Sequence, residues 1–483
     1  MKAQLENDAE IQRLSRLLGV DADELTPLAA LDPEAVRAFR RSVVDALYDT
    51  DLATFQRLAA ASKLLPPPAM AAIAKRAFGP LMCARITGLL EPKRAIDVAG
   101  RLSDEFLTEV AVELDPRRSS AVIERFPADR VAAVGRELAA RDDVITISQF
   151  VDHLSTEALR AGIDAISDEG VLLRAAFLLE SKDRLTELIG LLPDDRLPRL
   201  IARAHEEGLW RQALAVIGDV EGDVAARLGE LVAQQPDAVL DNLVDAAQHQ
   251  GLWDVLLPIV GRLSTQSLAR FASIPALDDE AVLANVVAAA DTARQWPALL
   301  PLVPSLPAGV RSKLGSAVER LDSGALARAL TEANASNHWP ALVDLVDVLG
   351  GEALQRAALA VADADDAVLA GLLGAAGDHK LWPSVLRVLT SLPGDVLTGQ
   401  ATRAARLDVD RFLPGIIDAA DTEGLWEEGL RVLASLDDEM LAGLTPSVER
   451  LTGEQARVLG TRIDELGLRH ELGPLGAALP GNA

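Results

Sequence analysis

The residues able to do chemistry are few, and they share no pattern. The chain of 483 residues holds one cysteine, Cys83, and six histidines, at 153, 205, 249, 338, 379 and 470. A lone thiol closes no intramolecular disulfide and supplies no thiolate cluster for zinc, and Cys83 has no histidine partner to activate it. His205, His249, His338 and His379 precede the nearest tryptophan by five, four, one and three residues. A metal or catalytic site built into a repeat would recur at one position, so these histidines and His153 and His470 read as surface or loop residues. His-Glu-x-x-His, Cys-x-x-Cys and Gly-x-Ser-x-Gly are absent, and Gly350-Gly351 lacks the Lys-Ser or Lys-Thr of a phosphate-binding loop. The reading is non-enzymatic, with no catalytic, cofactor or metal-ligating residue assigned.

Acidic clusters are the remaining candidates: Asp278-Asp279-Glu280, Asp363 with Asp365-Asp366, and Asp437-Asp438-Glu439. Each falls near an inter-helix connection, where a carboxylate caps the next helix and meets its positive dipole end. The alternative is a weak divalent-cation site.

The elements that position these residues follow from a long repeat. Trp210, Trp253, Trp296, Trp339, Trp382 and Trp426 are 43 residues apart, with a final step of 44. Thirteen residues before them stand Leu197, Leu240, Leu283, Leu326, Leu369 and Leu413, and six before them Ala204, Ala247, Ala290, Ala333, Ala376 and Ala420. Apolar residues recur four after each tryptophan, from Leu214 to Leu430, and ten after, from Val220 to Leu436. Within one unit Leu240, Leu243, Val244 and Ala247 have helical spacing, and Gly251 closes that helix. Pro297, Pro340 and Pro383 directly follow their tryptophans, so a second helix starts at the indole. A third amphipathic stretch completes about three helices per 43 residues, the size of armadillo and HEAT-like units. Stacking demands the same large residue in every repeat, so the six tryptophans are expected to pack between helices. The alternative is a ladder of anchors for a peptide.

A shorter period governs the preceding region. Leu90, Leu102, Leu114, Phe126 and Leu138 lie 12 apart, and Val98, Val110, Val122 and Val134 follow the first four by eight. Glu91-Pro92, Ser103-Asp104, Asp115-Pro116 and Pro127-Ala128 open the units, which predicts very short helices stacked into a tight superhelix or compact block. A looser version runs through Leu154, Ile166 and Leu178.

The run LEPKRAIDVAGRLSDEFLTEVAVELDPRRSSAVIERFPADRVAAVGREL, within residues 90–197, resembles the cytoplasmic amino-terminal domain of MgtE-type magnesium transporters and, more distantly, the armadillo-like middle of the flagellar switch protein FliG. The resemblance implies the short-helix fold. Transport does not follow from it, because this chain continues into 43-residue repeats and no membrane span, and no magnesium-site residue is carried over.

Net charge is −26, a field that repels nucleic acid. Residues 197–450 hold 19 basic against 36 acidic side chains, whereas residues 64–141 hold 12 against 10. The acidic stretch favours basic partners at low salt and equally serves solubility. The most apolar stretch, 64–90, is broken by Pro66, Pro67, Pro68 and Pro80 and by charged residues, which excludes a membrane span. Met1 to Val20 lacks the pattern of a signal peptide.

These features predict an all-α chain, an α-solenoid of armadillo/HEAT-like repeats. Its expected parts are an N-terminal helical region at 1–63, the short-helix block at 64–196, six long repeats at 197–455, and a C-terminal cap helix and tail at 456–483. The expected function is a cytoplasmic scaffold or adaptor that binds protein partners and needs no cofactor. The alternatives are a peripheral membrane or regulatory protein docking through 64–90, and a divalent-cation-sensing module. Two apolar stretches, 171–173 and 177–179, offer either an exposed docking corner or segments buried on two sides.

Overall fold

The computed structural model describes residues 2–193, 195–220, 222–407, 409–448, 451 and 453–479. The end of the expected C-terminal tail, 480–483, lies outside them. Among the described residues the chain is all-α, a series of 33 α-helices joined by short 3-10, π and turn segments, with no strand. It forms two compact units, Met1–Ile259 and Val260–Ala483.

The first unit opens with Lys2–Leu18 and Pro33–Asp49, which pack together across a 3-10 segment at Ala22–Ala30. Glu10 and Arg13 are buried between them. Arg13 and Arg40 each hold Glu10 at 2.9 Å, and Arg13 also reaches Glu180 at 3.1 Å, so the N-terminal helices are tied to the end of the short-helix block. Burial alone would raise the Glu180 carboxyl, yet Arg13, Arg40 and Arg41 pull it down to about 2.

Short helices follow as their caps dictate. Asp104–Glu113 starts behind Ser103, whose hydroxyl accepts from the Phe106 N–H at 3.4 Å, and Thr156–Ala165 starts behind Ser155 in the same way at 3.3 Å. The 12-residue period is not one helix per unit throughout. Asp115-Pro116 opens a turn, leaving only Ser120–Ile123, whereas Ala128–Ala140 runs through the next leader, Leu138. Gly135 sits inside that helix without breaking it, and Asp142 turns the chain at φ 54°.

In the long repeats a helix begins at each tryptophan. Two residues earlier stands a left-handed residue in all six: Gly208, Gly251 and Gly424, but also Arg294, Asn337 and Lys380. The next N–H then reaches back to the carbonyl of the recurrent alanine, as from Leu252 to Ala247 at 2.9 Å and from His338 to Ala333 at 2.9 Å. This is the six-to-one bond of a Schellman closure, and the recurrent alanine fits there with only a buried methyl group beside the turn. Every residue of the four apolar series flanking the tryptophans is buried. The third tryptophan helix is cut to Trp296–Leu299 and continues as a 3-10 segment, because Pro301 and Pro304 remove its donors.

Candidate functional site

A partly open cavity of about 410 Å³ lies among the helices of the first unit. Its lining follows the 12-residue period: Leu90, Leu102, Leu114, Phe126 and Leu138 all face it, and so do the four valines from Val98 to Val134. Helices of about ten residues present a narrow apolar stripe, and a ring of such stripes leaves the axis unfilled. Leu172, Leu173 and Leu179 also line it, while Val171 and Leu178 are buried, so these stretches form no exposed corner.

The cavity offers almost no polarity. Ser62 and Thr87 line it, but their hydroxyls donate to the carbonyls of Ala59 at 2.6 Å and Cys83 at 2.7 Å. Cys83 lines it too, and burial pushes its thiol up to about 11, which keeps it protonated at neutral pH. Trp210 closes another part of the wall, its indole N–H donating to Asn242 at 2.7 Å.

Arginines hold this wall together, a feature the apolar periods do not reveal. Arg130 donates to the Leu102 carbonyl at 2.6 Å, and Arg196 donates to those of Ile163 and Ile166, both at 2.7 Å. Arg94 reaches the carbonyls of Ser62 and Leu65. Each follows an apolar residue by four, after Leu90, Phe126 and Leu192, and each satisfies helix-end carbonyls of a preceding element. The sequence signal was an apolar residue, a proline one or two later, and then this arginine.

The tryptophans are distributed along the array. Trp210, Trp253, Trp296, Trp339 and Trp382 are buried, and Trp426 is half-buried. A side-chain carbon added at Gly415 would meet the Trp382 ring at 2.1 Å, and Trp382 also meets Phe412 edge-on with centroids 6.2 Å apart. The position 32 after the tryptophan, or 33 in the repeat whose step is 44 residues, is thus an interlocking point: Asn242 accepts from Trp210, and Gly371 lies against Trp339.

The histidines are scattered. His205 meets Asn242 at 3.0 Å, His249 lies 3.1 Å from Asp245 on the surface, His153 and His338 are half-buried with burial depressing their pKa values, and His379 and His470 are exposed. In the acidic clusters Asp279, Asp365 and Asp437 accept from helix N–H groups at 2.7, 2.9 and 2.8 Å. Asp278 pairs with Lys313 at 2.8 Å. Among the described residues no group of three or more His, Cys, Asp or Glu side chains is placed to hold a metal ion.

No protein-family model matches this chain, and no curated protein matches it. The resemblance of residues 90–197 to the MgtE amino-terminal domain therefore rests on the quoted residues alone. One similar solved structure is the crystal structure of an engineered protein, 16% identical over 88% of this chain and 97% of its own, with a TM-score of 0.24. A likeness at that level carries no argument. Among the described residues no helix is long and apolar enough to cross a membrane.

Proposed function

We propose that this chain is a non-enzymatic cytoplasmic scaffold whose long repeats bind basic segments of protein partners. One observation carries the reading. The residues that recur from repeat to repeat are buried, whereas the exposed position four before each tryptophan holds five residue types in six repeats: Glu206, His249, Thr292, Ala335, Asp378 and Thr422. A repeated core under a non-repeating surface is what a modular binding array requires, because stacking fixes the first and recognition diversifies the second. With 36 acidic against 19 basic residues over 197–450, that surface selects positively charged partners through steering that salt screens. The test is titration of the full chain with lysine- and arginine-rich peptides and with their glutamate-substituted counterparts. Saturable binding of the basic set alone, weakening as salt rises, supports the reading. Equal binding of both sets, or none, overturns it.

A second reading, docking on a membrane surface through 64–90, is favoured by Leu64, Leu65 and Leu81, which are 87%, 38% and 50% exposed. Flotation of the chain with vesicles tests it.

A further inference from the structure

The cavity of the first unit is far larger than packing defects of ordinary cores, and at about 410 Å³ it falls in the roughly 300–1,000 Å³ range of ligand pockets. Its chemistry limits what can enter. Both hydroxyls on its wall are already donated to carbonyls, and the indole N–H of Trp210 is donated to Asn242. Water finds few partners there, and a peptide would bury more N–H and C=O groups than these two hydroxyl oxygens could pair. An aliphatic chain carries no such groups.

The cavity also has an identifiable mouth. Among the described residues that line it, only Ala61 and Leu65 are exposed. Around them the charge balance of the protein reverses: residues 52–90 contain five basic side chains and no acidic one, in a chain of net charge −26. Arg85 is engaged with the Leu47 carbonyl and stacks over the Tyr48 ring at 4.0 Å. The other four, Arg57, Lys63, Lys75 and Arg76, are exposed. Each adjoins wall residues along the chain: Arg57 precedes Leu58, Lys63 follows Ser62, and Lys75 and Arg76 stand between Ala74 and Phe78. Lys63 has a loose exposed partner in Glu91 at 3.9 Å.

We propose that this cavity binds one long-chain amphiphile, its aliphatic tail inside and its anionic head, a carboxylate or a phosphate, among Arg57, Lys63, Lys75 and Arg76. The apolar wall selects the tail, and the basic rim selects the sign of the head. The inference rests on the reading of the chain as a binding protein, but on a different unit and a different ligand.

The experiment uses the full chain stripped of lipid and titrated calorimetrically, below their micelle concentrations, with four probes of one chain length: hexadecanoate, hexadecyl phosphate, hexadecanol and hexadecylammonium. Native mass spectrometry reads the stoichiometry. One anionic molecule per chain is expected, with hexadecanol and hexadecylammonium weaker by roughly tenfold or more. The double variant Lys75→Glu, Arg76→Glu changes exposed residues only, and it should weaken hexadecanoate by roughly tenfold while leaving hexadecanol unchanged. Filling the cavity with Val134→Trp should abolish all binding; should that variant not fold, the charge reversal decides alone. Equal affinity for all four probes, stoichiometry well above one, or flotation with anionic vesicles without uptake of monomeric hexadecanoate would overturn the proposal. A chain that fails these titrations yet holds basic peptides loses this site and keeps the scaffold function.

Discussion

At the scale of single residues, the turn before each tryptophan and the groove behind it make opposite demands. Lys380 holds φ 59°, where a β-carbon crowds the backbone, and its side chain is exposed. Lys380→Gly is expected to stabilise the second unit by about 0.5–1 kcal/mol, and Gly251→Ala, at φ 64°, to destabilise the first by a similar amount, both read as shifts of the denaturant midpoint. Gly415 is a glycine for a different reason, since the Trp382 ring occupies the place of its side chain. Gly415→Ala should therefore cost about 1–3 kcal/mol by overpacking, and retention of wild-type stability would show that ring and backbone are not in contact. The two kinds of glycine were unequally legible. Gly251 announces a helix end by its type, whereas Arg294 and Lys380 take the same conformation with side chains that do not signal it. What identifies them is distance from the tryptophan, the one signal common to all six turns.

At the scale of elements, the N-terminal pair Lys2–Leu18 and Pro33–Asp49 adds a buried charge cluster to the apolar contact of Ile11, Leu14 and Val36. Arg13, Arg40 and Arg41 outweigh desolvation and hold the Glu180 carboxyl near 2, below its ordinary value of 4.5. The folded state thus holds this proton more weakly than the unfolded chain. Its stabilising contribution, on the order of 3 kcal/mol, is complete above about pH 4.5 and is lost as pH falls toward 2. The exchange protection factors of residues 2–49, taken relative to the intrinsic rate at each pH, should fall over that acid window, and Glu180→Gln should abolish this pH dependence. Protection factors unchanged from pH 5 to about 2.5 would remove the clamp from the account. Sequence periodicity placed the long-repeat helices because leucine, alanine and tryptophan fill the same positions in each. It did not reveal the clamp, whose members are some 140 residues or more apart, as from Arg40 to Glu180. Nor did it reveal the arginines at the helix ends, because a charged residue beside a proline reads as solvated until its partner carbonyls are known.

At the scale of the whole molecule, repeats that each bury faces on their neighbours resist unfolding in a chain-local way. Trp296 is fully buried, so Trp296→Ala should cost about 3–5 kcal/mol. Exchange protection is expected to fall first in the adjoining helices, Glu280–Thr292 and Ser323–Ser336, and last near Gly453–Glu465. Uniform loss of protection through the second unit would instead mark it as one cooperative block. The all-α class and the two repeat periods were readable from residue spacing. The open axis inside the short-helix block was not, because a pattern of apolar residues specifies which face turns inward and says nothing of how far opposite faces stand apart.

That open axis has a volumetric consequence. Unfolding under hydrostatic pressure is favoured by the loss of poorly hydrated voids, and the apolar cavity of the first unit holds about 410 Å³ where a pocket in the second holds about 50 Å³. Compression should therefore unfold Met1–Ile259 well before Val260–Ala483, a difference visible by high-pressure NMR, and simultaneous loss of both sets of signals would count against an empty interior. A tail occupying the void would abolish much of that volume change, so an occupied protein should tolerate pressures at which the stripped chain collapses.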